Sequence, residues 1–398
     1  MRTLRMEKDY HTRIRRGHRW AWRGDFDPAA LAGVAPGEAV RLESSAGAFL
    51  GVGYANPLSH IAVRVVDGED REPDAALVRR RLAEALAWRE RVRPGAAVAR
   101  LVFGESDGLP GLVADRYGPV LVISQSVAGM ERWTDLVAEE LSGRLGTDTV
   151  ILRNTNLLRR LEGLEVETRL LAGRWDGPVT VDHDGVRMVV DCWAGRKTGL
   201  FLDHRENRRL LSQLVHEGEF VLDLFSYSGL WAHTLLAAGA GRAVCVDGDA
   251  AALELARASA AANGWANRLE TVTQNVEDYL AAETRRFDLV VLDPPAFAKK
   301  KRFLDDALAV YRRHIALALA RLAPGGVLAA ASCSSFTTRE MLLREAIAAA
   351  AEAGRAVQLV AEGCQALDHP VLPAMPETHY LKCMFFRVLG QVNGCSCS

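Results

Sequence analysis

Two short motifs with reactive side chains follow apolar runs in the second half of the chain. Cys333 lies in a Ser-Cys-Ser triplet directly after the run 327–331, and Asp293 begins an Asp-Pro-Pro triplet directly after the run 289–292. Both runs are predicted to be buried strands, and ligands of open α/β sheets bind at the carboxyl ends of the strands. A thiol there can act as a nucleophile once its thiolate is stabilised. The alternative for Cys333 is a buried structural cysteine, the more common state of a free cysteine.

A third motif runs from an apolar strand through a turn of small and aromatic residues into a predicted helix, over 221–229. Small residues let the backbone approach a ligand, and the helix start offers unpaired N–H groups. Asp247 ends the next predicted strand, where a carboxylate can accept hydrogen bonds from both hydroxyls of a ribose. The predicted cofactor residues of this unit are Asp223, Phe225, Ser226, Tyr227, Ser228, Gly229 and Asp247.

A nicotinamide dinucleotide and S-adenosylmethionine are the alternatives for this cofactor site. The chain has no G-x-G-x-x-G fingerprint here, and bulky Phe225 and Tyr227 leave little room for a pyrophosphate, so S-adenosylmethionine fits better. The prolines make the loop after Asp293 stiff, and Asp293 and Pro294 are predicted to hold a flat heteroaromatic ring. A plain βα turn with a surface aspartate is the alternative without a ligand.

A methyl donor beside a nucleophilic thiol indicates one kind of methyl transfer. The C5 carbon of cytosine is too weak a nucleophile to accept a methyl group unaided. A thiolate that adds to C6 makes C5 electron-rich, and the thiol is eliminated after a base removes the C5 proton, which divides one hard step into easier ones. The sequence names no residue for that base. The helix predicted to begin near Thr337 would favour the thiolate of Cys333.

The N-terminal segment is basic although the whole chain has a net charge of only −1. Residues 1–24 hold eight Lys and Arg against Glu7 and Asp9. Cations with interleaved aromatic rings suit phosphate contacts and base stacking, whereas the alternative is a solvated basic face. The basic run from 299 follows the Asp-Pro-Pro loop closely. The predicted RNA contacts are Arg15, Arg16, Arg19, Trp20, Lys299, Lys300 and Lys301.

The elements that must position these residues divide the chain into three predicted domains and a tail. Residues 1–73 show short β segments between turn signals and predict a small β barrel, and 74–185 predict a small α+β domain that opens with the helix Ala75–Val92, capped by Asp74. Residues 186–390 alternate strand and helix, which predicts a doubly wound α/β domain with a parallel sheet. Residues 391–398 are predicted to be a disordered tail.

The composition fits an intracellular globular protein. The chain has 398 residues with 49% hydrophobic and 25% charged residues, and it shows neither a membrane span nor a secretory signal. Seven scattered cysteines argue against a disulfide framework and for the cytoplasm. Cys192, Cys245, Cys364 and Cys383 lie in or beside apolar segments and are interpreted as structural. No metal site is expected, because the pair Cys395 and Cys397 has no second ligand pair nearby.

Nearly the whole chain resembles the family of large-subunit 23S ribosomal RNA methyltransferase I, which forms 5-methylcytosine. Segments that carry the resemblance are 17–20, 51–57, 104–111, 115–118, 197–208, 368–370 and 380–382. The resemblance implies an N-terminal RNA-binding PUA domain and a Rossmann-like methyltransferase domain of EC class 2.1.1. It assigns the 201–205 segment, Phe225, Ser226, Gly229 and Asp247 to the cofactor S-adenosylmethionine, Asp293 to the target base, and Cys333 to nucleophilic attack. From 201–205, the residues predicted to bind it are Phe201, Asp203 and Arg205.

Two positions depart from the family pattern. His204 stands where the family usually has Gln, and Gln274-Asn275 stands where an acidic residue often faces the adenine. Asn275 is predicted to accept from the adenine amino group, so altered affinity is expected. The expected partner is 23S ribosomal RNA, without a membrane, and a homodimer is the candidate assembly. The alternative function is methylation of a guanine nitrogen or a small molecule, with Cys333 structural; non-catalytic RNA binding is a third hypothesis.

Overall fold

A computed structural model describes residues 1–7, 10–298 and 300–391 of the chain. These residues form two compact units. The first consists of Met1–Val179, Asp191–Gly199 and Leu367–Thr378, and the second of Thr180–Val190, Leu200–Ala366 and the chain from His379 onward. The division into three domains at 73 and 185 stays a prediction. The predicted tail lies outside the described residues, apart from Gln391.

The first unit begins with a five-stranded sheet and two short helices. The elements are β1 (Arg2–Arg5), α1 (His11–Arg15), β2 (Trp20–Trp22), α2 (Pro28–Leu31), β3 (Glu38–Glu43), β4 (Phe49–Ala55) and β5 (Ile61–Asp67). The sheet order is β1-β3-β4-β5-β2. The short β segments predicted within residues 1–73 are confirmed as strands of this sheet, whereas the β barrel as a separate domain stays a prediction. β1 and β2 were not predicted, because they are short and lack a run of alternating apolar residues.

A second five-stranded sheet of the first unit packs against longer helices. Its elements are α3 (Ala75–Val92), β6 (Val98–Phe103), β7 (Leu112–Tyr117), β8 (Val120–Gln125), α4 (Ala128–Glu131), α5 (Thr134–Leu145), β9 (Thr149–Asn154) and β10 (Glu167–Ala172), in the sheet order β10-β9-β8-β7-β6. The sequence pattern missed β7, because Asp115 and Arg116 interrupt its apolar residues. Asp115 is fully buried, and Arg100 pairs with it at 2.7 Å, which compensates its charge.

The second unit contains a hairpin and a seven-stranded sheet with helices between its strands. The strands are β11 (Val179–His183), β12 (Val186–Val190), β13 (Phe220–Leu224), β14 (Arg242–Asp247), β15 (Leu269–Thr273), β16 (Phe287–Leu292), β17 (Leu322–Ser332), β18 (Arg355–Gly363) and β19 (Lys382–Gln391). The helices are α6 (Arg205–Ser212), α7 (Leu230–Ala237), α8 (Ala250–Ala262), α9 (Val276–Ala282), α10 (Leu304–Arg321) and α11 (Arg339–Glu352). Among the residues that the structure describes, no helix is both long and apolar enough to cross a bilayer.

The sheet order β15-β14-β13-β16-β17-β19-β18 confirms the predicted doubly wound fold. The five strands β13 to β17 pair in parallel, and the strand order reverses between β13 and β16. The predicted parallel sheet holds for these five strands, whereas at one edge β19 lies antiparallel between β17 and β18, which the sequence pattern did not predict. Parallel connections usually carry a helix, and the described chain between β18 and β19 has only the short helical turn Pro376–Thr378.

Alternating side chains of the central strands build a core on each face of this sheet. On β13, Leu222 and Leu224 belong to one buried cluster, whereas Val221 belongs to the other. On β16, Val290 and Leu292 face the first cluster and Leu289 the second. Because side chains alternate along a strand, a central strand with both faces covered must be apolar throughout. Asp223 on β13 is the exception, since it is a fully buried carboxyl group.

We expect Asp74→Ala to lower the free energy of unfolding by about 1 kcal/mol, because the Asp74 side chain accepts the Leu77 N–H at the start of α3 at 2.8 Å. Asp74→Asn is the matched control, since an asparagine oxygen caps a helix about as well. Urea unfolding of the full chain measures both variants. An equal loss in the two variants would contradict a capping role.

Candidate active site

The reversal of strand order brings two loops of the second unit together at the carboxyl end of the sheet. Leu224, the last residue of β13, is paired in register with Leu292, the last residue of β16. The backbone N–H of Asp293 lies 3.5 Å from the carbonyl oxygen of Leu224. The ring of Phe225 lies 6.3 Å from that of Phe297. The predicted cofactor turn and the Asp-Pro-Pro loop are therefore direct neighbours.

The turn after β13 has a strained backbone that Asp247 holds in place. Phe225 and Tyr227 have φ angles of 59° and 51°, a left-handed backbone conformation that residues other than glycine rarely adopt. The Asp247 carboxylate accepts the N–H of Tyr227 and that of Asp249, each at 2.9 Å. Each carboxylate oxygen has a second lone pair, so Asp247 keeps acceptor capacity for a ligand. The turn is pre-formed as a cradle, as a cofactor site requires.

Asp223 supports this turn from beneath. Its side chain is fully buried, and its Oδ2 accepts the N–H of Ala232 in the first turn of α7 at 3.1 Å. Burial raises the pKa of Asp223 to about 8, and the nearby carboxylates Asp293 and Asp247 add to that rise. The carboxyl is thus largely protonated at neutral pH. Its position fits support of the turn, and it presents no exposed surface to a ligand.

The 201–205 segment lies against the same turn. Phe201 makes an edge-to-face contact with Tyr227, with ring centroids 5.3 Å apart. Asp203 and Arg205 are buried: the Asp203 carboxylate accepts the Tyr380 hydroxyl at 2.6 Å, and Arg205 donates to Asp184 at 2.8 Å. Phe201 is half-buried, whereas residues 202–205 are buried. Sequence reasoning did not find the partners Tyr380 and Asp184, since both are distant along the chain.

Asp293 lies between the side chains of Trp231 and His204. Its Oδ2 accepts the indole N–H of Trp231 at 3.2 Å, and its Oδ1 lies 3.2 Å from Nε2 of His204. The Asn207 amide nitrogen donates to the carbonyl oxygen of Cys364 at 3.0 Å and lies 3.0 Å from Nδ1 of His204. The contact with Asn207 holds the His204 ring in place beside Asp293. Trp231 was missed by sequence reasoning.

Cys333 directly follows β17 and lies over the Asp-Pro-Pro loop. Its Sγ is 3.9 Å from the carbonyl oxygen of Pro294, and the residue is half-buried. The flanking serines fasten the loop, because Ser332 pairs with the Tyr311 hydroxyl at 2.9 Å and Ser334 donates to the Ala298 carbonyl at 3.1 Å. The structure thus brings the Ser-Cys-Ser triplet and the Asp-Pro-Pro triplet into contact.

The other cysteines differ from Cys333 in their surroundings. Cys192, Cys245 and Cys383 are buried, and burial raises the pKa of each thiol above its ordinary value, which suits structural residues. Cys364 is exposed, so the prediction that it is a buried structural residue was wrong. Apolar residues near Cys364 in the sequence did not predict its exposure correctly.

Lys382 reaches the Cys333 loop from the neighbouring strand. In the antiparallel pair of β17 and β19, Lys382 lies opposite Ser332. Its Nζ donates to the carbonyl oxygens of Ser334 at 2.5 Å and Tyr380 at 2.8 Å. Burial lowers the pKa of Lys382 to about 8, and the charge of Cys333 acts in the opposite direction. The sequence motif at 380–382 includes Lys382, but it did not predict that Lys382 lies beside the loop of Cys333.

The remaining predicted residues occupy varied positions. Arg15 and Arg16 in the first unit are exposed, whereas Arg19 is half-buried, and its burial together with the charge of Arg81 lowers its pKa. The indole N–H of Trp20 donates to Glu105 at 2.9 Å. In the second unit, Lys300 and Lys301 are exposed, and Lys299 lies outside the described residues. The side-chain oxygen of exposed Asn275 caps α9 by accepting the N–H of Glu277 at 2.8 Å.

Comparison with known proteins gives two family matches. Residues 4–67 match a PUA-like domain, and residues 165–387 match an S-adenosylmethionine-dependent methyltransferase family. Proteins named ribosomal RNA large subunit methyltransferase I are similar over almost their whole length. The relative from Shewanella denitrificans is 34% identical over 94% of this chain and 96% of its own, and that from Salmonella arizonae is 33% identical over 97% of each.

Solved structures share the fold. A methyltransferase designated SMU.776, crystallised with SAH, has a TM-score of 0.82 and 19% identity over 98% of this chain and 100% of its own. A SAM-dependent methyltransferase from Streptococcus mutans has the same TM-score with 18% identity and the same coverage. At this identity, the likeness concerns the arrangement of the elements.

We expect Asp223→Asn to become more stable relative to the wild type as the pH rises. A raised carboxyl pKa contributes stability that is present below the unfolded value near 4 and is lost as the pH rises toward the folded value of about 8. The asparagine oxygen can still accept the Ala232 N–H but cannot ionise. The stability difference should grow by up to about 1.4 kcal/mol per pH unit between pH 5 and 7.

Urea unfolding at pH 5, 6 and 7 measures this difference. Asp148→Asn, at an exposed position, is the control and should show no such trend. A difference for Asp223→Asn that stays constant with pH would show that the carboxyl is ionised in the folded protein.

Proposed function

Because this chain belongs to the ribosomal RNA large subunit methyltransferase I family and to the S-adenosylmethionine-dependent methyltransferases, we propose that it methylates C5 of a cytosine in 23S ribosomal RNA. Cys333 is the proposed nucleophile. The observation that carries the proposal is the contact between the half-buried Cys333 and the Asp-Pro-Pro loop, with Sγ 3.9 Å from the Pro294 carbonyl. A structural cysteine would need no place at the carboxyl ends of adjacent strands, where ligands of this fold bind.

The proposed cofactor contacts are the 225–229 turn, Asp247 and Phe201. The strained, pre-formed turn and the remaining acceptor capacity of Asp247 fit the ribose of S-adenosylmethionine, which supplies an electrophilic methyl group. Asp203, Arg205 and Asp223 are buried and would act by holding these contacts in place. Because its oxygen already accepts the N–H groups of Glu277 and Asp278 at the start of α9, Asn275 would meet the adenine through its amide nitrogen.

Cys333 would act in two steps on the cytosine ring. Its thiolate forms a bond to C6, and the electrons of the C5–C6 double bond make C5 nucleophilic toward a methyl group. After C5 has been methylated, loss of the C5 proton restores the double bond, and the C6–S bond breaks to return the thiolate. Asp293, held between His204 and Trp231, would face the edge of the cytosine.

The remaining proposed contacts concern the RNA strand. Arg15, Arg16, Arg19 and Trp20 lie in the part of the chain that matches a PUA-like domain, and exposed Lys300 and Lys301 follow the Asp-Pro-Pro loop. Such cations neutralise phosphates without reading sequence. A cytosine in a helix must leave the base stack before a thiol can reach C6. Lys299 belongs to the same proposal from the sequence alone.

We expect Cys333→Ala to lose methyl transfer to ribosomal RNA by at least about 1000-fold while it keeps its affinity for S-adenosylmethionine, because a covalent step is removed and the cofactor contacts remain. Transfer of a radiolabelled methyl group and calorimetric cofactor binding measure the two properties. Cys364→Ala, at the exposed cysteine, is the matched control and should remain active. Product formed by the Cys333→Ala protein at the wild-type rate would exclude the covalent mechanism.

Ribosomal RNA from cells that lack this gene should lose one 5-methylcytosine and regain it with the wild-type gene. Nuclease digestion followed by mass spectrometry identifies the base. Loss of a methylated guanine instead would favour the alternative function in which Cys333 is structural. Ribosomal RNA that is unchanged in every methylated base would contradict both.

A further inference from the structure

We propose that Lys382 is a positioning residue that holds Cys333 as a thiolate. The inference gives the thiol of the proposed function a means of activation. The backbone pairing of β17 with β19 sets Lys382 opposite Ser332, the residue before Cys333. The antiparallel strand, which the sequence pattern did not predict, thus brings the ammonium to the loop that carries Cys333, where it contacts Ser334.

The Lys382 ammonium is fixed at this place by two backbone carbonyls. It donates to Ser334, in the loop after β17, at 2.5 Å and to Tyr380, just before β19, at 2.8 Å. Ser334 is itself tied to the Ala298 carbonyl, so the chain on the far side of Cys333 cannot swing away easily. A lysine side chain is long and flexible, and two such bonds turn it into a charge of defined position.

The groups that act on the Cys333 region from the packed elements differ in sign. Lys382 on β19 brings a positive charge, Asp293 after β16 brings a negative one, and Tyr311 on α10 contacts Ser332 through its hydroxyl. Burial raises the pKa of Tyr311, which keeps the phenol neutral. The Asp293 charge disfavours a thiolate, and it is partly engaged by Trp231 and His204. The Lys382 charge is the one that favours it.

Lys382 is also poised to exchange a proton with the thiol. Burial brings the pKa of Lys382 down to about 8, close to the ordinary value of a cysteine at about 8.5. When the S–H bond of Cys333 breaks and the proton passes to the amine, a thiolate and an ammonium form as a pair, with no other reactant. Ionising either group favours ionisation of the other, because their charges attract in a partly desolvated site.

The helix that the sequence analysis expected to support the thiolate lies further along the chain. α11 begins at Arg339, and its N-cap Thr338 accepts the N–H of Met341 with its own side chain. That contact already satisfies one of the free N–H groups at the helix start. Lys382, which contacts Ser334 directly after Cys333, is therefore the stronger candidate for this task.

The test is the pH dependence of Cys333 alkylation by iodoacetamide in the full chain, without RNA or cofactor. Peptide mass spectrometry follows Cys333 and, in the same sample, exposed Cys364 as an internal reference. We expect the wild-type midpoint for Cys333 to lie below about 8 and Lys382→Gln to move it up by about one pH unit, with roughly 10-fold slower alkylation at pH 7. Glutamine still donates to a carbonyl but has no charge.

Lys382→Arg keeps the charge, so its Cys333 alkylation midpoint should lie close to the wild-type value. Cys364 should react alike in every variant. Equal profiles in the wild type and Lys382→Gln would overturn the proposal, as would equal upward shifts in the Gln and Arg variants, which indicate a structural role. If neither variant folds, a wild-type Cys333 midpoint at or above that of Cys364 overturns it without them. The alkylation assay uses no RNA, so it tests the role of Lys382 separately from the proposed function. If Lys382→Gln shifts the midpoint as expected but the Cys333→Ala protein still methylates RNA, only the proposed function is rejected.

Discussion

The parallel pairing of β13 with β16 aligns the ends of the two strands on which the site depends. Leu224 and Leu292 are in register, so the chain leaves the sheet at the same level in both places. One exit forms the turn held by Asp247, and the other forms the Asp-Pro-Pro loop. Since the strand order reverses between these strands, no helix crosses above them, and a crevice for ligands opens there. A slip in this register would separate the turn from the loop.

Buried polar residues below the site maintain this alignment. Asp223 ties β13 to the start of α7, Asp203 ties the 201–205 segment to Tyr380, and Asn207 orients the His204 ring. A buried polar group without a partner would destabilise the fold. Each of these contacts therefore holds its two side chains or segments in one relative position. His204 lies with its Nε2 3.2 Å from Oδ1 of Asp293, so this ring is part of the surroundings of that carboxylate.

The antiparallel strand β19 gives the site a property that a wholly parallel sheet would lack. It lies between β17 and β18 and carries Lys382 to the loop of Cys333, while Tyr380, just before it, reaches Asp203. The end of the chain thus contributes to both the thiol side and the cofactor side of the site. This explains in physical terms why a C-terminal motif at 380–382 accompanies the motifs at 201–208 and 332–334.

The sequence by itself determined the elements whose signals are local. The helix Ala75–Val92 has the predicted bounds, and the apolar runs 289–292 and 327–331 lie in strands as predicted, because a cap residue, a helical period or an apolar run between turns specifies each one. The positions of Cys333 and Asp293 at strand ends followed from the same signals. The tertiary structure alone decided that β19 runs antiparallel, that Cys364 is exposed, and that Lys382, Trp231 and Tyr380 meet the predicted residues. Strand pairing and side-chain contacts join residues far apart in the chain, and no local pattern encodes them.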